Sequence, residues 1–264
     1  MVNAASYPPL PSYSHPPVTE VSFGIVFNPL TAMQSRHFGE FWVDLKEEYP
    51  RTEDASPLLD GIGAEAARLT LLEMPPLRRM MSYSADDQYV AQVQESRVYL
   101  NWRKVKPENA YPRYAAIYPK FEQLWGRFSS FADREKIGSP SISRYELAYF
   151  NHVELGSNVA DSLEEHVKLF RFSPVEATFL SQPESVNATW RFAMPQQRGT
   201  ATATLGNAKN QKGQDLLVLV LTCTGAPSEK YSTTEWFQAA HEWIVRSFTD
   251  LTTGTAHQKW GRET

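Results

Sequence analysis
Gln88-Tyr-Val-Ala-Gln-Val-Gln-Glu-Ser-Arg-Val-Tyr-Leu-Asn-Trp-Arg-Lys104 is the stretch that decides the fold, because its hydrophobic pattern slips phase halfway along. Tyr89, Ala91 and Val93 are odd-numbered, whereas Val98, Leu100 and Trp102 are even-numbered. One flat strand cannot carry both sets on one face, since side chains alternate with a period of two. A hairpin turning at Glu95-Ser96 can. It pairs Val93 with Val98, Ala91 with Leu100 and Tyr89 with Trp102 on one face. The other face then collects Gln94 with Arg97, Gln92 with Tyr99, Val90 with Asn101 and Gln88 with Arg103. A sheet face this rich in amides and guanidinium groups is either wetted or the lining of a polar site.

Working outward, the periodicity predicts an extended proline-rich arm over 1–17 and a strand over Val18–Phe27, with Val21, Phe23, Ile25 and Phe27 inward. A helix follows from about Thr31 to Glu48. Residues 51–76 read as an acidic, irregular surface excursion with a short helix. Strands near 77–83, 88–94 and 97–104 make an antiparallel meander. A second helix carries Tyr114, Ile117, Tyr118, Phe121, Leu124, Trp125 and Phe128 on one stripe. Pro119 inside that stripe predicts a separate or kinked first turn.

The order then repeats. A long strand, Ser141–Glu154, precedes a shorter helix at Asp161–Phe170. Strands near 175–181, 187–195, 199–205 and 215–223 follow, with turn residues at 206–213. The last large helix opens on Ser232-Thr-Thr-Glu235, which fits a capping box. The spacing from Tyr111 to Phe128 equals that from Tyr231 to Phe248. This reads as an α+β chain in which a strand–helix–meander–helix unit is duplicated, long helices lying on curved antiparallel sheet. Helix-grip, START-like and TATA-binding-protein-like halves have that form; one continuous sheet wrapping both helices is the alternative. The expected divisions are an arm (1–17), a first half (18–138), a second half (139–251) and a tail (252–264), with the halves packed as one globular body.

A 264-residue chain with 42% apolar residues and seven tryptophans is rich enough in apolar side chains for a sizeable core. Its net charge of −4 argues against a protein that coats nucleic acid or an anionic membrane. Local bias remains. Residues 97–120 carry Arg97, Arg103, Lys104, Lys106, Arg113 and Lys120 against Glu108, while 40–60 are acidic. The single Cys223 excludes an internal disulfide, and its apolar run suggests a buried thiol. No run approaches the ~18 apolar residues of a membrane span, so a cytoplasmic protein away from membranes is expected.

Signals of chemistry are sparse. Arg144, Glu146 and His152 share one face of their strand. As an enzyme, the protein would use Glu146 or His152 as base and Arg144 as anion holder; as a structural feature, Arg144 and Glu146 form an ion pair. The six histidines are scattered without ligand spacing, so neither metal nor cofactor is expected. Gly61-Ile-Gly63 lacks the remainder of a phosphate loop, and no Gly-x-Ser-x-Gly elbow is present.

Beyond these patterns, the chain resembles a sporadically distributed family of uncharacterised bacterial and archaeal proteins. The residues that carry the resemblance are Pro16-Pro-Val-Thr-Glu-Val21 with Phe27-Asn-Pro-Leu30, and Phe41-Trp42 with Tyr49-Pro50. They continue in Gln92-Val-Gln94, Arg97, Asn101-Trp-Arg103, Tyr111-Pro-Arg-Tyr114 and Arg144-Tyr-Glu-Leu-Ala-Tyr-Phe-Asn151. The resemblance supplies no reaction; sporadic distribution implies an accessory of a mobile or defence-related locus.

The sequence therefore points first to a non-catalytic binding or sensing protein for a small anionic ligand or a protein partner, with a homodimer as one arrangement. Glu20, Gln92, Gln94, Arg97, Asn101, Arg103, Arg144 and Glu146 would contact the ligand, with Arg113 at the rim. A nucleic-acid-binding accessory using the 97–120 region and the enzyme described above are the alternatives.

Overall fold
A computed structural model describes residues 8–58, 77–154, 169–170, 185–209, 213 and 215–264. The chain divides into two compact units, Met1–Val21 with Tyr145–Thr264 (unit one) and Ser22–Arg144 (unit two). Each is α+β, with antiparallel strand pairs and a long helix.

In unit two the strand order is β2 (Arg51–Ala55), β3 (Arg79–Tyr83), β4 (Tyr89–Gln94), β5 (Arg97–Arg103), then β1 (Val18–Phe27), whose residues from Ser22 onward lie here. The β4–β5 register matches the hairpin read from the sequence: Tyr89 opposes Trp102, Ala91 Leu100, Val93 Val98, Val90 Asn101, Gln92 Tyr99 and Gln94 Arg97. The turn is held from outside as well. Phe27 N–H donates to the Ser96 carbonyl at 2.9 Å, and Leu30 N–H to that of Glu95 at 2.9 Å.

The apolar side of this sheet carries two helices, α1 (Ser35–Leu45) and α2 (Tyr114–Arg134). Phe23 stacks on Phe121 with ring centroids 5.5 Å apart, Phe27 meets Phe128 at 5.4 Å, and Phe41 of α1 meets Phe131 at 5.1 Å. Each such ring contributes about 1.5–3 kcal/mol by leaving water. Trp102 is also buried, so both hairpin strands give this side their apolar set.

Three expectations need correction here. Arg51–Ala55 is a strand paired with β3, not an irregular excursion; its residues are almost all exposed, so no apolar alternation marks it. The first turn of helix α2 is not separate, since one helix spans Tyr114–Arg134 with Pro119 inside it; so near the helix start, the missing N–H costs one backbone bond in the second turn. Helix α1 begins at Ser35, four residues after the expected Thr31.

In unit one the order is β6 (Ile142–Glu154, from Tyr145 onward), β9 (Asp215–Gly225), β8 (Thr200–Lys209) and β7 (Asn187–Ala193). Strand β8 continues through Gly206 to Lys209, past the expected start of the turn. Helix α3 (Thr233–Leu251) covers the face of Tyr145, Leu147 and Tyr149. Its capping box is formed: Ser232 Oγ accepts from Glu235 N–H at 3.2 Å, and Ser232 N–H donates to the Glu235 carboxylate at 2.7 Å. The tail is not formless, since it holds a short helix, α4 (Gly254–Lys259). The proline-rich arm joins this unit: Tyr13 OH bonds Thr249 Oγ1 at 2.9 Å, and Ser14 N–H donates to the Gly261 carbonyl at 2.9 Å.

Residues 161–168 of the helix expected over Asp161–Phe170, the strand near 175–181 and Gly61-Ile-Gly63 lie outside the described residues. Phe170 forms an isolated bridge with Thr252. No helix among the described residues is long and apolar enough to cross a membrane, which says nothing of a β-barrel.

Candidate functional site: the polar face of the meander
Alternation along β4 and β5 sends Gln92, Gln94, Arg97, Tyr99, Asn101 and Arg103 to the sheet face opposite the helices of unit two. The register extends that face across β3 to Arg79, Met81 and Tyr83, because Met81 opposes Gln92 and Tyr83 opposes Val90. Gln92, Gln94, Arg97, Tyr99 and Asn101 are all buried. The face is thus a lining rather than a wetted surface. A single-strand platform offers exposed rings, and here the one ring of the amide row, Tyr99, is buried and packs against Gly24. A Cβ on Gly24 would stand 2.1 Å from the Tyr99 ring, so glycine is what admits the phenol.

Buried amides need partners, and those of this face form a chain. Arg79 Nη1 donates to Gln92 Oε1 at 2.8 Å, and Gln92 Nε2 donates to Asn101 Oδ1 at 2.7 Å. Gln94 grips main chain: its Oε1 accepts from Leu58 N–H at 2.9 Å and its Nε2 donates to the Leu58 carbonyl at 3.3 Å. At the far end of the face, Arg103 Nε donates to the Asp87 carbonyl at 2.8 Å. The guanidinium groups of Arg51 and Arg103 both lie over the Tyr83 ring, at 3.8 Å and 5.0 Å.

Arg79 is the residue the sequence reading missed. Its described hydrogen bond goes to a neutral amide, and its Nε is buried without a partner among the described residues. Burial pulls its pKa below the usual guanidinium range, and Arg97 adds a like-charge push, while the phenols of Tyr83 and Tyr99 act the other way. Arginine stays protonated in proteins. A half-buried cation held by neutral groups beside another cation is an arrangement that an anion would complete.

The other expected ligand residues are placed differently. Arg113 is exposed, in left-handed backbone (φ 72°) at the N-cap of α2, with its guanidinium 5.8 Å from the Tyr111 ring. It belongs to the helix side of unit two, not to the rim of the polar face. Arg144 ends unit two, whereas Glu20 and Glu146 belong to unit one, and all three are half-buried.

In unit one, Glu146 and His152 share the helix-free face of β6, as alternation required. Six residues of one strand separate them, a span of roughly 20 Å, so they cannot serve one reacting centre together. Burial holds the His152 pKa below the ordinary imidazole value. Across the sheet from them stand Thr200, Thr202, Thr222 and Thr224, most of that face being half-exposed. On the covered face, His241 bonds the Tyr149 hydroxyl through Nδ1 at 3.0 Å, as a packing histidine should, and burial depresses its pKa to about 4. Cys223 is fully buried with its thiol pushed up by burial. No cluster of three histidine, cysteine or acidic side chains suited to a metal occurs among the described residues.

No protein-family model matches the chain, and no curated protein does either. Among solved structures, the chain is similar to DynU16, a protein of the dynemicin biosynthetic locus, with 10% identity and a TM-score of 0.25, over 88% of this chain and 97% of that one. It is also similar to the di-domain ARO/CYC StfQ of the steffimycin biosynthetic pathway, with 8% identity and a TM-score of 0.22, over 91% and 96%. Likeness this shallow assigns neither fold nor chemistry.

Proposed function
We propose that the protein is a non-catalytic binding or sensing protein whose unit-two sheet takes a small anionic ligand against the polar face. Arg79 carries the reading: it is a half-buried guanidinium whose described partner is a neutral amide, with Arg97 as its like-charged neighbour. A carboxylate or phosphate seated beside Arg79 would offset that charge in a bidentate geometry lysine cannot offer. Gln92, Asn101 and Tyr99 supply the neutral donors and acceptors around it, and Gln94 holds the Leu58 backbone beside it. Glu20, Arg144 and Glu146 are not needed for this site.

The same proposal includes a cytoplasmic location, membership of the sporadic family named above, and descent of the two units from one duplicated helix-grip element. Both units set a long helix on antiparallel sheet, which supports the last of these.

The test is a thermal-shift and calorimetric screen of the full chain with phosphate, citrate and benzoate as probes, at low and moderate salt. A saturable stabilisation by one of them should vanish in Arg79→Met and persist in Arg113→Met. Equal loss in both variants, or no stabilisation by any probe, would remove the reading.

A further inference from the structure
The proline-rich arm and the tail of unit one are clasped by more than the contacts of Tyr13 and Ser14 already described. Glu263 N–H donates to the Ser12 carbonyl at 2.9 Å, and His15 N–H to the Trp260 carbonyl at 3.1 Å. Between these bonds Tyr13 and Arg262 form an antiparallel bridge. The buried Tyr13 ring meets Phe248 of α3 with centroids 5.3 Å apart and His257 of α4 at 5.8 Å.

His257 stands beside this ladder, and its two nitrogens have fixed roles. Arg262 Nη1 lies 3.2 Å from His257 Nδ1. A guanidinium only donates, so Nδ1 must offer its lone pair. On the other side, Nε2 lies 3.2 Å from the Thr249 carbonyl and 3.0 Å from Thr252 Oγ1. A carbonyl only accepts, and the Thr252 hydroxyl gives its proton to the Phe248 carbonyl at 2.6 Å. Nε2 therefore carries the ring's proton, and the closed clasp holds one tautomer of the neutral imidazole. A second proton would land on Nδ1 and face the Arg262 cation. The carbonyls ending α3 would tolerate that charge; the bond from Arg262 would not survive it. Other charges approach from each element of the clasp. Asp250 of α3 acts on Tyr13, as does Arg262, and Arg246 of α3 donates to the Pro8 carbonyl at 2.9 Å. Glu263 accepts from Ser12 Oγ at 2.7 Å, Lys259 lies two residues along α4, and the exposed His15 joins through its N–H.

We propose that His257 is the pivot of a pH-sensitive latch, closed over the arm while its ring is neutral and opened when protonation expels Arg262. Because Arg262 is the residue bridged to Tyr13, its departure loosens the middle of the ladder. Release bares the seat of Tyr13 on Phe248, against which Trp260 also packs at 5.2 Å. The closed form excludes the second proton, so closure is complete above the ordinary imidazole value of about 6.5 and is lost progressively below it. The latch lies in unit one and does not depend on the proposed anion site.

Hydrogen exchange of the full chain at pH 7.5 and 5.5, corrected for the intrinsic pH dependence of exchange, tests the latch. Between those values, proton uptake by an ordinary imidazole sets a factor of about 10. Protection of the Ser14, His15 and Glu263 amides should fall by that factor relative to the β8–β9 ladder, which reports opening of the whole unit. His257→Gln keeps a donor and an acceptor but does not titrate, and should abolish the step. Arg262→Gln, at an exposed position, keeps the test decisive should His257→Gln unseat the clasp. Its amide can turn an oxygen to the new proton, so the step should shrink to less than about threefold. His15→Gln should leave the step intact. Equal protection at both pH values, a full step in either His257→Gln or Arg262→Gln, or its disappearance in His15→Gln would overturn the proposal.

Discussion

The two helix-free sheet faces of this molecule are built alike and furnished differently. In unit two the face is amide and guanidinium, buried, and joined in one direction from Arg79 through Gln92 to Asn101. In unit one it is largely hydroxyl and aliphatic, half-exposed, with Thr200, Thr202, Thr222 and Thr224 beside Ala148 and Phe150. Hydroxyls at a wetted surface cost little wherever they stand. Buried amides are costly unless each finds its partner, so the face of unit two is the one whose composition demands an explanation.

The largest effect should come from breaking the amide chain. Gln92→Leu leaves Arg79 without its described partner and takes a donor from Asn101; urea unfolding should register a loss of about 3 kcal/mol. A loss below about 1 kcal/mol would erase the energetic contrast between the faces. The next effect belongs to the covered side of unit one and is read by pH. His241 is neutral in the folded protein, with a pKa of about 4 against 6.5 for the free side chain. The unfolded chain binds the proton first as pH falls, so stability is complete above 6.5 and declines between 6.5 and 4. The decline should reach roughly 2–3 kcal/mol, and His241→Phe should flatten that part of the profile.

Arg79→Met should change the stability of the ligand-free protein by less than about 1 kcal/mol, because removing a half-buried cation without a counterion among the described residues offsets the donor lost to Gln92 Oε1. A fall of about 2 kcal/mol or more would mean that the guanidinium is already compensated. Thr222→Val, on the face of unit one, should stay within about 0.5 kcal/mol of wild type. A larger loss there would show that its hydroxyl row is also a network.

The β4–β5 hairpin was fully legible because a phase slip in an alternating pattern admits one solution. From that solution follow its register, its two faces and the grouping of Gln92, Gln94, Arg97 and Asn101. Strand β2 was not legible, since Arg-Thr-Glu-Asp-Ala has no apolar alternation and edge strands are commonly disguised by charge. Arg79 was within reach. Carrying the odd–even bookkeeping from β4 across to β3 puts it on the polar face, but that step needs the β3–β4 register, which no tight turn fixes in advance. Arg113 shows the opposite error. It is ten residues from Arg103 in the chain, yet it caps a helix packed on the other side. Sequence proximity assembled a basic cluster that the sheet divides between its two faces.

Gln94 grips Leu58 through main-chain atoms alone. Such a grip is blind to the identity of the side chain it holds. Position 58 can therefore drift through most of the amino-acid alphabet while the latch survives, and proline, which has no N–H to give, is the substitution it forbids. Across relatives, variation at 58 beneath an invariant glutamine at 94 would be the mark of a contact maintained by selection on one partner only.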